Sequence, residues 1–348
     1  MDSKPLSKDS MRSTWRTAPR SEWNVNHWLL ELLNVYPIAL GQEVPVHSKK
    51  DKVPFMTQWS LHLWIIIHSG LPLILHEIYM TLTGCTIGQI TASTFYFFSF
   101  TSTRIHQIHI IRRLGHKYGF LDGDKHERDG VPDVGVAKVV SVIYKAATFR
   151  TMLSIFLSYN AREKPSQMAW AWLLIEISLY GIVLDFFFYW YHRLMHEVSF
   201  LWKFHRTHHL TKHPNCLLLG YADHEQEFIE IVVMPMVTYF SLKLMGLPMG
   251  FYEWWICQEY VGFSEVVGHS GLRIHLIVPS TISWLLRLLS SELNIEDHDL
   301  HHRNGWRKSH NYGKQTRLWD RIFSTGNERL ECAADNVDYE NTVNMPFL

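Results

Sequence analysis

Cysteine is scarce in this chain. Its 348 residues include four, Cys85, Cys216, Cys257 and Cys332, scattered without a Cys-x-x-Cys pair. That spacing excludes a zinc ribbon and offers no disulfide framework. Net charge is missing as well: 33 Lys and Arg balance 33 Asp and Glu, so no basic field marks nucleic acid as a partner. Residues 1–55 lack the continuous apolar core of a secretory signal. No Asn-x-Ser/Thr acceptor occurs, which is compatible with little lumenal surface. Internal repeats and low-complexity segments are also absent.

Histidine is what the chain has in excess, with 22 residues on a background 47% hydrophobic and 14% aromatic. One stretch reads HRLMHEVSFLWKFHRTHH and contains His192-x-x-x-His196 and His205-x-x-His208-His209. Downstream, His298-x-x-His301-His302 repeats the second form. Residues three and four apart share a helical face, so each group presents its imidazoles together. A single histidine is ordinarily a satisfied core or surface residue. Eight converging imidazoles differ: without a metal they repel when protonated or leave buried ring nitrogens unpaired, at about 1–3 kcal/mol each. The set reads as ligands for two transition-metal ions.

Apolar blocks surround these groups and lead to an all-α expectation: an integral membrane helical bundle with a cytosolic, histidine-rich, metal-binding helical cap. Residues 59–80 are long enough to cross a bilayer, since about 20 residues at 1.5 Å each cover roughly 30 Å. His62, His68, His76 and Glu77 weaken that block. Residues 87–111 form a second block ending in Arg112 and Arg113, and the two make a hairpin turning near residues 84–88. The basic loop through Lys117, Lys125 and Arg128 then returns to the cytosolic side with the N-terminal arm. Residues 134–159, interrupted by Lys138, Lys145 and Arg150, read either as an embedded helix or as a soluble amphipathic one. Residues 168–190 are the clearest span and run straight into His192. Residues 228–245 and 251–268 form a further apolar pair around a Gly-Leu-Pro turn, and a hairpin entering and leaving by one face keeps the second and third histidine groups on one side.

The expected divisions are a cytosolic arm at 1–55, N-terminal membrane helices and a basic loop at 56–165, a metal-binding domain at 166–326, and a tail without motif at 327–348. The arm carries basic residues from Lys4 onward and prolines from Pro5 onward, with residues 23–33 as either an interfacial helix or an ordinary packed one.

Neutral imidazole suits Zn, Cu, Fe and Ni, so ligand type alone does not name the metal. Hydrolytic zinc chemistry would use His-Glu-x-x-His with the glutamate as base, but Arg193 follows His192 here. Two all-nitrogen sites at a membrane surface, with open positions left over, fit oxygen activation at a di-iron centre better. The rivals are a membrane metal transporter and a bis-histidine haem protein. Transporters place ionisable groups near the bilayer midplane, whereas the histidine groups lie beyond the apolar blocks. Haem takes isolated histidines on facing helices, not triplets at i, i+3 and i+4.

The sequences HRLMH, HRTHH and HDLHH, in this order after an apolar segment and before NYGKQTRLWDRIF, resemble the fatty acid hydroxylase superfamily, which includes sterol desaturases and C4-methylsterol oxidases. The likeness covers residues 170–326. It implies a multi-pass non-haem di-iron oxygenase of the endoplasmic reticulum membrane with its catalytic face cytosolic. Such an enzyme hydroxylates or desaturates an unactivated C–H position of a lipid-like substrate: a sterol, a fatty acyl or sphingoid chain, or a terpenoid or polyketide. It uses two Fe ions, O2 and electrons from NAD(P)H through cytochrome b5 and its reductase. No His-Pro-Gly-Gly occurs, so the donor is expected to be a separate protein.

The implied metal ligands are His192, His196, His205, His208, His209, His298, His301 and His302, with His269 in Gly-His-Ser-Gly joining them. Glu265, four residues before His269, is a candidate ligand or acceptor. Asp185, seven residues before His192 on the same helix face, is a candidate to receive the second ring N–H of a ligand and fix its tautomer. Asp297 and Asp299 are the equivalents for the third group. A solvated charge at a helix end is the competing reading for each. His224 and His275 are further candidates for the metal shell.

Overall fold

The computed structural model describes residues 7–348, so Lys4 and Pro5 of the expected arm lie outside the described residues. In chain order the elements are α1 (Val25–Leu33), β1 (Val53–Met56), α2 (Gln58–Thr83), α3 (Gln89–Tyr118), α4 (Val136–Ser158), α5 (Trp170–Glu197), α6 (Ser199–His205), α7 (His224–Phe228), α8 (Met234–Leu244), α9 (Phe251–Gly268), α10 (Ser283–Leu288), α11 (Ile295–Asn304), α12 (Leu318–Ile322) and β2 (Val337–Val343).

Helix α9 is the centre of the bundle. All of its residues except Glu265 and Gly268 are buried, because α2, α3, α4 and α5 pack around it. Its sequence, FYEWWICQEYVGFSEVVG, is apolar on nearly every face, the pattern of a helix enclosed by other helices. Helix α7, a π-helical turn over Ile229–Val233 and α8 run on without a break from His224 to Leu244, a rod of roughly 30 Å at about 1.5 Å per residue. The apolar pair expected over 228–268 is present as this rod and α9, the second enclosed by neighbouring helices.

Three helices are long and apolar enough to cross a membrane: Gln58–Thr83, Val136–Ser158 and Trp170–Glu197. Their outward faces carry exposed Leu71, Ile74, Phe149, Phe156, Leu174 and Ile175, where a bundle in water would carry polar residues. Helix α2 ends on Gly84 in the left-handed region, φ 67°, which supplies the expected turn into α3. Helix α3 is not among the three, since its Thr, Ser, Gln and Arg residues dilute the apolar block.

Residues 7–55 and 327–348 carry more regular structure than their composition suggests. Asn24 caps α1 through the backbone N–H groups of Asn26 and His27, and α1 packs on α4. The Trp15 indole donates to the Val131 carbonyl at 3.0 Å. Residues 23–33 do hold a helix, which buries Leu30 and leaves Val25, Trp28, Leu29 and Leu32 exposed. The tail contributes β2, which pairs in parallel with β1 and buries Val337 and Val343, and Met345 just beyond it is buried too. This small ladder departs from the all-α expectation. The stretch VDYENTV has buried valines only at its ends, so no strand alternation marks it.

Candidate metal centre

Five segments converge on the site. The end of α5 brings His192 and His196, α6 brings His205, the single turn after it brings His208 and His209, and α11 brings His298, His301 and His302. His269 caps the C-terminus of α9. These rings form two groups, His192, His196, His205, His209 and His301 in one, His208, His269, His298 and His302 in the other. Within each group one nitrogen from every ring lies within 4.8 Å of the rest. Ring centroids of His192 and His301 are 4.4 Å apart, and those of His269 and His298 are 4.3 Å apart. Rings so crowded leave no slot for a planar macrocycle, which counts against haem.

Helical geometry explains the division. The pairs 192/196, 205/209 and 298/302 are each four residues apart and each share a group. Within His208-His209 and His301-His302 the two neighbours point to different groups, because adjacent helical residues are turned by about 100°.

Hydrogen bonds fix the ring tautomers. Nδ1 donates to the carbonyl of Tyr312 from His192 (2.8 Å), of Trp306 from His196 (2.6 Å), of His310 from His301 (2.7 Å), of Thr211 from His302 (3.0 Å) and of Glu265 from His269 (2.8 Å). His205 Nδ1 donates to Gln226 Oε1 at 3.0 Å, and that amide is oriented by its own donation to Glu230 at 2.8 Å. Each of these rings is left with its Nε2 lone pair facing inward, the arrangement of metal-bound histidines.

The residues fit a cation. His205 Nε2 and His301 Nε2 both lie 3.1 Å from His209 Nε2. His209 has one proton to give there, so at least one contact sets lone pair against lone pair. Nε2 of His192, His196 and His302 is buried without any partner. Metal–imidazole bonds of about 2.1 Å at right angles put neighbouring nitrogens about 3.0 Å apart, close to these separations. Burial, then the charge neighbouring rings would carry, holds His208, His209, His298 and His301 well below the ordinary imidazole range. They are neutral donors at physiological pH.

The other expected contributors lie elsewhere. Asp185 reaches no histidine; it accepts from the backbone N–H groups of Lys314, Gln315 and Thr316 and so shapes the loop that bears Tyr312. The Glu265 carboxylate is taken by Arg150 at 2.7 Å, and only its carbonyl serves the site. Asp297 binds Arg329 and caps α11, while Asp299 is held by Arg128 and Arg303. His224 has a side chain 70% exposed and pairs with Glu227. His275 stacks on Phe55 and meets Asn294. Sequence reasoning missed Gln226 and Lys314. Lys314 sits over the Phe188 ring at 4.2 Å and borders a small space shared with His269 and His298.

Residues 177–325 match the family model described as fatty acid hydroxylase. The chain is 40% identical to the fatty acid hydroxylase vlmA of Lecanicillium sp over 88% of its own length and 89% of that protein. It is 25% identical to alkylglycerol monooxygenase of Xenopus tropicalis over 54% of this chain and 38% of that one. With methylsterol monooxygenase 2-2 of Arabidopsis thaliana it shares 28% over 54% of this chain and 66% of the relative. No solved structure matches. The two histidine groups on their helical scaffold, together with these likenesses, place the chain in the fatty acid hydroxylase family, as an oxygen-dependent oxidoreductase.

Proposed function

We propose that this protein is a membrane-bound non-haem di-iron oxygenase that hydroxylates an unactivated C–H position of a lipid-like substrate. The observation that carries this reading is the pair of buried nitrogen pockets, five histidines in one and four in the other. Two iron ions bound there would supply the redox chemistry with O2 that side chains lack. His192, His196, His205, His209 and His301 would hold one ion, and His208, His269, His298 and His302 the other. The carbonyls of Trp306, His310 and Tyr312 hold the ring protons of His196, His301 and His192 on Nδ1 and leave the inward nitrogens free, and burial of the rings excludes bulk water.

The overall conversion takes C–H, O2, two electrons and two protons to C–OH and water. The electrons come from NAD(P)H through a separate donor, cytochrome b5 with its reductase. Hydroxylation is favoured over desaturation because the relatives named above are a hydroxylase and two monooxygenases. The name of the 40% identical relative favours a fatty acyl chain over a sterol. Helices α2, α4 and α5 would lie in the endoplasmic reticulum membrane. Arg112, Arg113 and Lys117 near the end of α3 favour a cytosolic position for the metal centre.

Purified protein should contain two irons per chain by elemental analysis. Lipid extracts from a host supplying cytochrome b5 and its reductase should show a product heavier by about 16 Da, one oxygen atom. His208→Ala and His301→Ala should each lose iron and activity while membrane insertion persists. Full iron and normal turnover in both variants would reject the proposal.

A further inference from the structure

Trp306 is 39% exposed, yet its carbonyl accepts from His196 Nδ1 at 2.6 Å. Its indole meets that of Trp202 edge to face, with ring centroids 5.0 Å apart. Trp202 is buried and lies against His196 and His209, at 5.2 and 5.7 Å between centroids. Two ring contacts therefore lead from the protein surface into the five-histidine group.

The surface around Trp306 combines basic and apolar side chains. Arg206 and Lys212 lie over its rings at 5.8 and 4.8 Å, Arg307 donates to the Ser199 hydroxyl, and Lys308 is exposed next in the chain. Lys203, on the same short helix as Trp202, is exposed and lies over Phe200 and Phe204. Glu197 is taken by Arg193 and Asp9 by Arg206. Among the described residues Lys203, Arg307 and Lys308 enter no ion pair, so the face keeps a positive surplus. Leu194, Val198 and Phe200, on either side of Ser199 in the chain, are exposed as well. Helix α5 covers roughly 30 Å between Trp170 and Trp190, the thickness of a bilayer's apolar core, so these three lie past the end of the span.

We infer that this face is the docking surface for a small acidic one-electron carrier protein, whose electrons enter the five-histidine group through Trp306. A basic rim around an exposed aromatic suits a brief encounter: the rim charge steers an acidic partner and sets its arrival rate, and redox encounters bury little area. Electron tunnelling weakens with every gap it crosses, and here a single buried ring separates the surface indole from the ligands. Each encounter moves one electron, so that the carrier is oxidised and one ferric ion in the pocket is reduced. Two encounters supply the two electrons of a hydroxylation. The indoles couple the centres and keep their own electrons. The inference rests on the oxygenase reading and assigns the surface by which its electrons arrive.

The test uses iron-loaded, full-length protein in phosphatidylcholine nanodiscs, mixed anaerobically and without substrate with the reduced haem domain of cytochrome b5, an acidic one-electron carrier. Oxidation of the haem is followed by its absorbance. The triple variant Lys203→Glu/Arg307→Glu/Lys308→Glu should slow the second-order rate at least about tenfold at low salt and flatten its fall with added salt. Reduction by dithionite, which needs no docking, should be unchanged. Trp306→Leu keeps the carbonyl that orients His196. It should keep its iron and lower the limiting rate at saturating donor, and Trp306→Phe should restore most of that rate. A triple variant as fast as the parent would overturn the docking surface, and an unchanged limiting rate in Trp306→Leu would overturn the entry point. Equal slowing with dithionite would make the substitutions structural and overturn both. Binding of the oxidised haem domain needs no iron in the enzyme and separates the two proposals. Iron-free protein that loses this binding in the triple variant rejects only the oxygenase, and iron-loaded, hydroxylating protein that ignores all three charges rejects only this inference.

Discussion

Replacing Gln226 with leucine tests one nitrogen of the five-histidine group. Gln226 is 1% exposed; its Oε1 accepts from His205 Nδ1 at 3.0 Å and its Nε2 donates to Glu230 at 2.8 Å. Leucine keeps most of the volume and removes both bonds. The His205 Nδ1–H is left without an acceptor, at about 1–3 kcal/mol, and the ring becomes free to move its proton to the inward nitrogen. At about 1.4 kcal/mol per tenfold that corresponds to a loss of roughly tenfold to hundredfold in metal affinity, as for other outer partners of metal-bound histidine. His208, His269, His298 and His302 make no hydrogen bond with Gln226, so the second ion should keep its affinity. A chelator-competition titration, followed by the colour of the iron–chelator complex, should show two phases of which one moves. If neither phase moved, Gln226 would not orient a ligand, and if both moved equally the two groups would not be separate sites.

Asp320 accepts from the backbone N–H groups of Tyr312 (2.9 Å) and Gly313 (2.8 Å) and from the Thr325 hydroxyl (2.7 Å). Asp320→Ala should cost about 3 kcal/mol or more in stability and release iron from the five-histidine group first, read by thermal melting with iron analysis. Asp122 gives a pH dependence. Burial pushes its carboxyl up, but hydrogen bonds from Lys49 and His213 and the charge of Arg303 outweigh that and hold it below the usual range. A folded-state pKa below the unfolded one means stability present above about pH 4 and lost as pH falls further. Asp122→Asn should flatten that acid limb in melts from pH 6 to 3; an unchanged slope would contradict the assignment. Ending the chain at Asp335 removes β2 with buried Val337, Val343 and Met345, each worth about 1.5–3 kcal/mol. Thermal stability should fall by at least about 4 kcal/mol, and an unaltered melting temperature would show that the β1–β2 ladder is dispensable.

The histidine spacing was the most legible feature of the sequence, because i and i+4 positions on a helix must share a face whatever surrounds them. That rule assembles 192 with 196, 205 with 209, and 298 with 302. The partners that orient the rings were not legible. Most are backbone carbonyls, which every residue owns, and which one faces a ring depends on loop shape alone. Asp185, Asp297 and Asp299 were sensible acceptors by distance along the helix, but partners over a hundred residues away claim Asp185 and Asp299, and the nearer Arg329 claims Asp297. The apolar runs of α2 and α5 were found close to their observed bounds. Helix α9 was found at its observed bounds, but its enclosure by four neighbours was not legible, because a mostly apolar helix reads the same whether lipid or protein surrounds it.

The two groups are built unevenly, and the asymmetry follows from one loop. The carbonyls that orient His196, His301 and His192 all come from residues 306–312. That loop turns through Asn311 at φ 54° and through Gly313, where a Cβ would collide with the Thr316 carbonyl. Asp185 and Asp320 then collect the backbone N–H groups that the turn leaves free. The four-histidine group takes its carbonyls from Thr211 and Glu265, on two separate segments. Each His-His dipeptide links the two groups, so displacement of α11 cannot disturb one site without turning a ring of the other.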